Sequence, residues 1–176
     1  MSLEIAEAGL APENVAAETA LIEAIRRDTW PATYQAMVPA EVVAAVRAAP
    51  GHPPAGAPGV RSWLARRGGD TLGYVSVGPA RDPLPPWRGE VYALYVRPGA
   101  QGGGAGRALM ARALSALHGD GRWPAWLWVL ADNARARRFY EKAGGRLLPE
   151  TDSFTFRGTR YPGIGIVGYG WEGALP

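Results

Sequence analysis

The chain of 176 residues has the length of one domain, and its 47% hydrophobic and 20% charged residues suit a packed core. It contains no cysteine, which excludes disulfide frameworks, thiolate catalysis, iron–sulfur clusters and cysteine zinc sites. A net charge of +3 is too modest to argue for a nucleic-acid partner by itself, since surface charge is usually a solvated face.

The N-terminal stretch of residues 1 to 7 carries acid where a signal peptide needs base. The longest strongly apolar run, Trp123 to Ala131, falls short of the roughly 20 residues that span a bilayer. A cytoplasmic protein without a membrane partner is expected, as monomer or homodimer. From Pro12 to about Asp28 the pattern is helical, with Leu21, Ile22 and Ile25 on one face, and Trp30-Pro31 is expected to end it. A second helix is expected over Ala40 to Ala48, stopping at Pro50, and the Pro/Gly segment Pro50 to Gly59 reads as a loop.

Strands follow. Val60 to Arg66 and Thr71 to Val77 flank Gly68-Gly69-Asp70, a hairpin turn by composition. After a Pro-rich connection, Glu90 to Val96 is apolar on both faces, as expected of an interior strand that Arg97-Pro98-Gly99 terminates. Gly106 to His118 is an amphipathic helix carrying Met110, Leu114 and Leu117, and Ala125 to Leu130 is a second interior strand. Asp132 or Asn133 caps a helix with Ala136, Phe139, Tyr140 and Ala143 on one face, ending at Gly144-Gly145. Arg146 to Leu148 and Gly163 to Trp171 read as strands flanking a loop, Pro149 to Pro162. The order is that of a mixed α/β sheet in which one strand-helix-strand unit supplies a parallel pair.

The strongest local feature is the stretch Gln101, Gly102, Gly103, Gly104, Ala105 and Gly106, between a strand and a helix. A helix start has unsatisfied N–H groups and a positive dipole end, and glycines let a phosphate or pyrophosphate approach closely. A flexible turn is the plainer alternative. Arg97, Arg107, Arg135, Arg137, Arg138 and Lys142 would favour further phosphate groups. A Walker loop fails because Ala105 follows Gly104. The Gly-x-Gly-x-x-Gly at Gly163 to Gly168 lies too near the end for the helix and strand of a dinucleotide site, and reads as a glycine-bearing strand. His52 and His118 lie far apart, in no paired-ligand spacing, so no metal is expected.

Leu94-Tyr95-Val96-Arg97-Pro98, then Gln101-x-x-Gly104-x-Gly106, then Asn133-x-x-Ala136-x-x-Phe139-Tyr140-Glu141-Lys142-x-Gly144 resembles the GCN5-related N-acetyltransferase (GNAT) superfamily. The strict motifs cover residues 90 to 145, and the flanking helices and strands suit the same layout, so the resemblance takes in residues 1 to 176 as one domain. Gly145 departs from it, standing where many members have Phe. The resemblance implies a central mixed sheet of about six to seven strands with helices on both faces. It implies acetyl-CoA as donor, with pyrophosphate on the amides of Gln101 to Arg107 and pantetheine along the backbone of Leu94, Tyr95 and Val96. Asn133 would bond the pantetheine arm, with Ala136, Phe139 and Lys142 of its helix beside the same donor, and Tyr140 would protonate the departing thiolate.

Tyr140 lies on the apolar stripe of its helix, where core packing is the simpler reading without the resemblance. Glu90 stands eleven residues before Gln101, the offset at which the histone-acetylating branch places its base, although an acid at a strand start is commonly solvated. Trp30, Tyr34 and Met37 resemble the acceptor-site floor, as does Phe154 to Tyr161, and core packing accounts for each equally well. The expected function is direct acetyl transfer to a primary amine of a small molecule or of a peptide or protein. A catalytically idle acyl-CoA sensor is the alternative, and a nucleic-acid binder ranks behind both.

Charge is unevenly distributed. Residues 1 to 50 carry three Arg against seven acids, a net −4, while residues 97 to 160 reach +6. The acidic segment is expected to attract a cationic amine.

Overall fold

The computed structural model describes every residue except Pro50, His52, Pro83 and Pro176. The expected stop at Pro50 and any role of His52 therefore lie outside the described residues. One seven-stranded sheet organises the chain, in the order β1-β2-β3-β4-β5-β7-β6. Its strands are β1 (Glu4–Ala8), β2 (Arg61–Arg67), β3 (Asp70–Pro79), β4 (Gly89–Val96), β5 (Ala125–Leu130), β6 (Arg146–Phe156) and β7 (Thr159–Trp171). The helices are α1 (Val15–Tyr34), α2 (Ala40–Ala48), α3 (Ala105–Gly119) and α4 (Ala134–Lys142). No helix among the described residues is long and apolar enough to cross a membrane.

Alternation along β2 sends neighbouring residues to opposite faces. Trp63 and Ala65 join Leu109, Met110, Leu114 and Leu117 of α3 in one core. Leu64 meets Ile22 and Ile25 of α1 on the other side. The second face continues where Val42 and Val43 of α2 meet Leu130 and the aromatic side chains of the β6–β7 hairpin.

Three elements differ from the sequence reading. The first helix does not stop at Trp30-Pro31: α1 runs through Pro31 to Tyr34, and the Gln35 amide donates to the Pro31 carbonyl at 3.0 Å. A proline removes one donor and perturbs one turn, and burial of Pro31 helps hold the turn in place. β1 was not anticipated, because its five residues carry two acids and no sustained alternation; it is completed by pairing Glu4 to Arg66 through Ala8 to Ser62. The expected loop from Pro149 to Pro162 is mostly a β-hairpin turning at Arg157-Gly158, with φ of 49° and 81°. Its two prolines misled because both fall where the register slips, between Leu147 and Thr151 and beyond the Phe154–Tyr161 pair, so neither has to donate to the ladder.

The geometry that matters most lies at the centre. β4 and β5 are the parallel pair, but only Gly89–Ala125 and Glu90–Trp126 are in register. Beyond them β4 stays with β3 as far as Val96–Gly73, while β5 follows β7 to Leu130–Ile166. A bulge helps to part them: Ser76 faces Ala93 and Val77 faces Val91, leaving Tyr92 unopposed. Such an insertion bends the bulged strand. The β5-facing edge of β4 along Leu94 to Val96 consequently borders a gap inside the sheet.

Candidate active site

The gap opens into a cavity of about 540 Å³. It joins four elements: the last turns of α1 (Thr29, Ala32, Thr33, Tyr34 and the following Met37), the end of β4 (Leu94, Tyr95, Val96), the turn into α3 (Pro98, Gln101, Gly102, Gly104, Gly106, Arg107), and α4 (Asn133, Arg135, Ala136, Phe139, Tyr140).

Gly102 and Gly104 sit at φ of 86° and 87°, a conformation that strains residues bearing Cβ, and Gly104 is the N-cap of α3. No atom lies within 4 Å of a Cβ placed on either, so the turn presents open backbone beside the first N–H groups of the helix. Gln101 Nε2 donates to the Val96 carbonyl at 2.9 Å, tying the turn back onto β4. Gly103 does not line the cavity; its carbonyl accepts from Arg67 at 3.0 Å. Ala105 is buried beneath the turn rather than exposed to the cavity.

Asn133 is 3% exposed, and its Oδ1 accepts from the Ala136 amide at 3.1 Å, which caps α4. The same residue interacts with the Tyr34 hydroxyl, as does Tyr95. Burial pushes the Tyr34 phenol above its usual pKa, and these two partners counter part of the rise. Tyr140, half-buried, stands edge-on to Phe139 and to Trp171, with ring centroids 5.4 and 6.2 Å apart. Burial, with a contribution from Tyr34, pushes its hydroxyl well above the ordinary phenol value. α4 is fixed to β7 by the Tyr169 hydroxyl, which donates to Glu141 at 2.7 Å and accepts from Arg137 at 3.3 Å. The unusual Gly145 has a reason of its own: a Cβ there would lie 2.6 Å from the Trp171 ring.

Glu90, the expected base, is not brought to this cavity. It lies at the other end of β4, 1% exposed, and both carboxylate oxygens are taken by Arg81 through the backbone amide at 2.9 Å and the guanidinium. Trp30 also lies off the cavity wall, packing on Tyr34 at 4.8 Å between ring centroids, and Lys142 does not reach the lining. Of the basic group, Arg107 and Arg135 line the cavity, whereas Arg97 is bonded to Asp28 and Arg137 to Tyr169 and the Ala131 carbonyl. His118 packs on Trp123 at 5.6 Å, at the far end of α3. Sequence reading missed Thr29, Ala32 and Thr33, because the helix was expected to end before them, and Pro98. Periodicity continuing at Thr29 and Thr33, four apart, was the available signal.

A cavity at a parted parallel strand pair, floored by a glycine-rich helix start and walled by a tyrosine-bearing helix, is the architecture of an acyl-CoA-using transferase. The chain belongs to the Acetyltransferase (GNAT) family, whose model matches residues 20–145. It is 43% identical over 83 residues to a mycothiol acetyltransferase of Streptomyces avermitilis, covering 47% of this chain and 26% of that one. It is 33% identical over 103 residues to the uncharacterized N-acetyltransferase YuaI of Bacillus subtilis, covering 58% of this chain and 57% of that one. The chain thus spans about a quarter of the mycothiol acetyltransferase's length. Among solved structures, the PaiA N-acetyltransferase of Thermoplasma acidophilum in complex with coenzyme A shares the fold, with a TM-score of 0.65 at 19% identity over 97% of this chain and 100% of that one.

Proposed function

We propose that the described residues act as one N-acetyltransferase domain that moves the acetyl group of acetyl-CoA directly onto a primary amine. The observation that carries this reading is the parting of β4 from β5 after Glu90–Trp126, which leaves the edge of β4 along Leu94 to Val96 without β5 as its partner at the cavity. Buried backbone groups need partners, and an amide-bearing pantetheine arm supplies donors and acceptors at strand spacing. The amides at Gly102 to Arg107, with Arg107 and Arg135 beside them, suit its pyrophosphate. Asn133 has its Oδ1 engaged as a cap, which leaves its Nδ2 as the group for Tyr34 and for the arm.

In the reaction a neutral amine attacks the thioester carbonyl, the C–N bond forms, and the C–S bond breaks. A backbone amide of β4 facing the gap stabilises charge developing on the carbonyl oxygen. Tyr140 gives its phenolic proton to the departing thiolate, and the raised pKa keeps that proton in place through neutral and moderately alkaline solution. The amine's proton leaves to water, because the Glu90 carboxylate is occupied by Arg81. An idle acyl-CoA sensor would share the donor site, and Tyr140 at the cavity favours the enzyme. Isothermal titration with acetyl-CoA, followed by CoA release in the presence of amines, tests the reading: saturable binding with turnover supports it, binding without transfer to any amine leaves the sensor, and no binding removes both.

A further inference from the structure

The cavity is electrically lopsided. Among the described lining residues the only charged side chains are Arg107 and Arg135, at the helix starts of α3 and α4. The α1 wall is Thr29, Ala32, Thr33, Tyr34 and Met37, with no carboxylate and no cation. The acidic N-terminal segment does not supply the missing charge, because four of its seven acids are bonded elsewhere. Glu7 pairs with Arg61 at 2.8 Å, and Glu18 accepts from the Gly9 amide at 2.7 Å and faces Arg66. Glu23 pairs with Arg26 at 3.0 Å, and Asp28 pairs with Arg97. The expected electrostatic attraction of a cationic acceptor therefore has no free acid at the cavity to act through.

We infer that the acceptor is a small monoamine of low basicity, of the α-amino type, taken up as its free base, and that lysine-type amines and polyamines are excluded. The inference rests on the acetyltransferase reading above. A site without a base must receive its nucleophile already deprotonated. α-Amino groups ionise near pH 7.8 and lysine-type amines near 10.4, so at neutral pH the reactive population differs by roughly 300-fold. With Arg107 and Arg135 taken by the donor's pyrophosphate, the described lining offers no carboxylate to pair with a second positive charge on the acceptor. The cavity of about 540 Å³ has to hold part of the donor as well, which leaves room for a compact acceptor.

The titratable groups among the described lining residues are the phenols of Tyr34 on α1, Tyr95 on β4 and Tyr140 on α4, together with Arg107 and Arg135. All three phenols are raised by burial and stay protonated at neutral pH, so none serves as a base. Thr29 is the polar handle on the α1 wall: it is 2% exposed, and its hydroxyl has no hydrogen-bond partner among the described residues. A buried hydroxyl in that condition gains from a ligand that bonds it.

The test measures kcat/KM between pH 6.5 and 10 for glycinamide, Nα-acetyl-lysinamide and spermidine, with acetyl-CoA affinity measured separately by titration calorimetry. The expected result at pH 7.5 is a preference of at least about 20-fold for glycinamide, with each acceptor's profile rising at unit slope to that amine's own pKa. A preference for spermidine or the lysine derivative would overturn the inference, as would a break at one fixed pH for all acceptors, the mark of an enzymic base. Normal acetyl-CoA binding with transfer to none of the three would also overturn it while leaving the donor site standing. Absent acetyl-CoA binding would overturn the acetyltransferase reading itself.

Discussion

The two walls of the cavity are built on different principles. On the α3–α4 side the wall is mostly backbone: two left-handed glycines, a helix start, and a strand edge from which β5 has parted. Side chains there mostly hold the backbone in place, as Gln101 does toward Val96 and Asn133 toward Ala136. On the α1 side the backbone is an ordinary helix, and what a ligand meets is side chains: Thr29, Thr33, Tyr34 and Met37. A backbone-built wall recognises a group that does not vary, whereas a side-chain wall can be changed by substitution without disturbing the fold. The contrast predicts that substitutions on the first wall damage donor binding or chemistry and those on the second alter acceptor use.

The largest effect is expected from Tyr140→Phe. Removing a general acid costs about 100-fold or more in kcat, while acetyl-CoA affinity by calorimetry should stay within a factor of two or so. An unchanged kcat would remove Tyr140 from the chemistry and leave it as packing against Phe139 and Trp171. Next is Gly104→Val, which forces a β-branched residue to φ of 87° at the α3 N-cap. A cost of about 1–2 kcal/mol is expected, read as a lower Tm together with weaker donor binding. Full retention of both would mean that the turn relaxes freely and is no built cradle.

On the opposite wall, Thr29→Val should raise the acceptor KM about five-fold and leave donor affinity alone, with Thr29→Ser restoring it. A change confined to the donor KM would move Thr29 to the other side of the comparison. Glu90→Gln separates a structural from a chemical carboxylate. With Arg81 holding both oxygens, the substitution should lower Tm slightly and leave the pH profile of kcat/KM unchanged in shape. The tyrosines predict one global effect. Tyr34, Tyr95 and Tyr140 are all raised in the folded state, so the stability they contribute is present below about pH 10 and is lost as pH rises beyond it. Urea midpoints measured from pH 8 to 11 should hold and then fall.

The backbone-built wall was the more legible in sequence. The run from Gln101 to Gly106 and the capped helix from Asn133 to Tyr140 are local signals, because turn chemistry and helix capping act within a few residues. The α1 wall was hidden behind Pro31, a helix breaker by rule that burial tolerates. The hairpin that fills Pro149 to Pro162 was hidden by its two prolines, which sit at register slips set by the pairing of β6 with β7 rather than by local sequence. Glu90 shows the limit of offsets. Its spacing from Gln101 resembles that of the histone-acetylating branch, yet whether a carboxylate is free depends on Arg81, whose approach follows from the connection between β3 and β4.

Everything proposed for this chain depends on the opening between β4 and β5 being a donor site for acetyl-CoA. Isothermal titration of the protein with acetyl-CoA tests it most directly. Saturable binding at one site per chain, weakened by Gly104→Val and retained in Tyr140→Phe, is the expected result; absence of binding to the intact protein would remove the donor site.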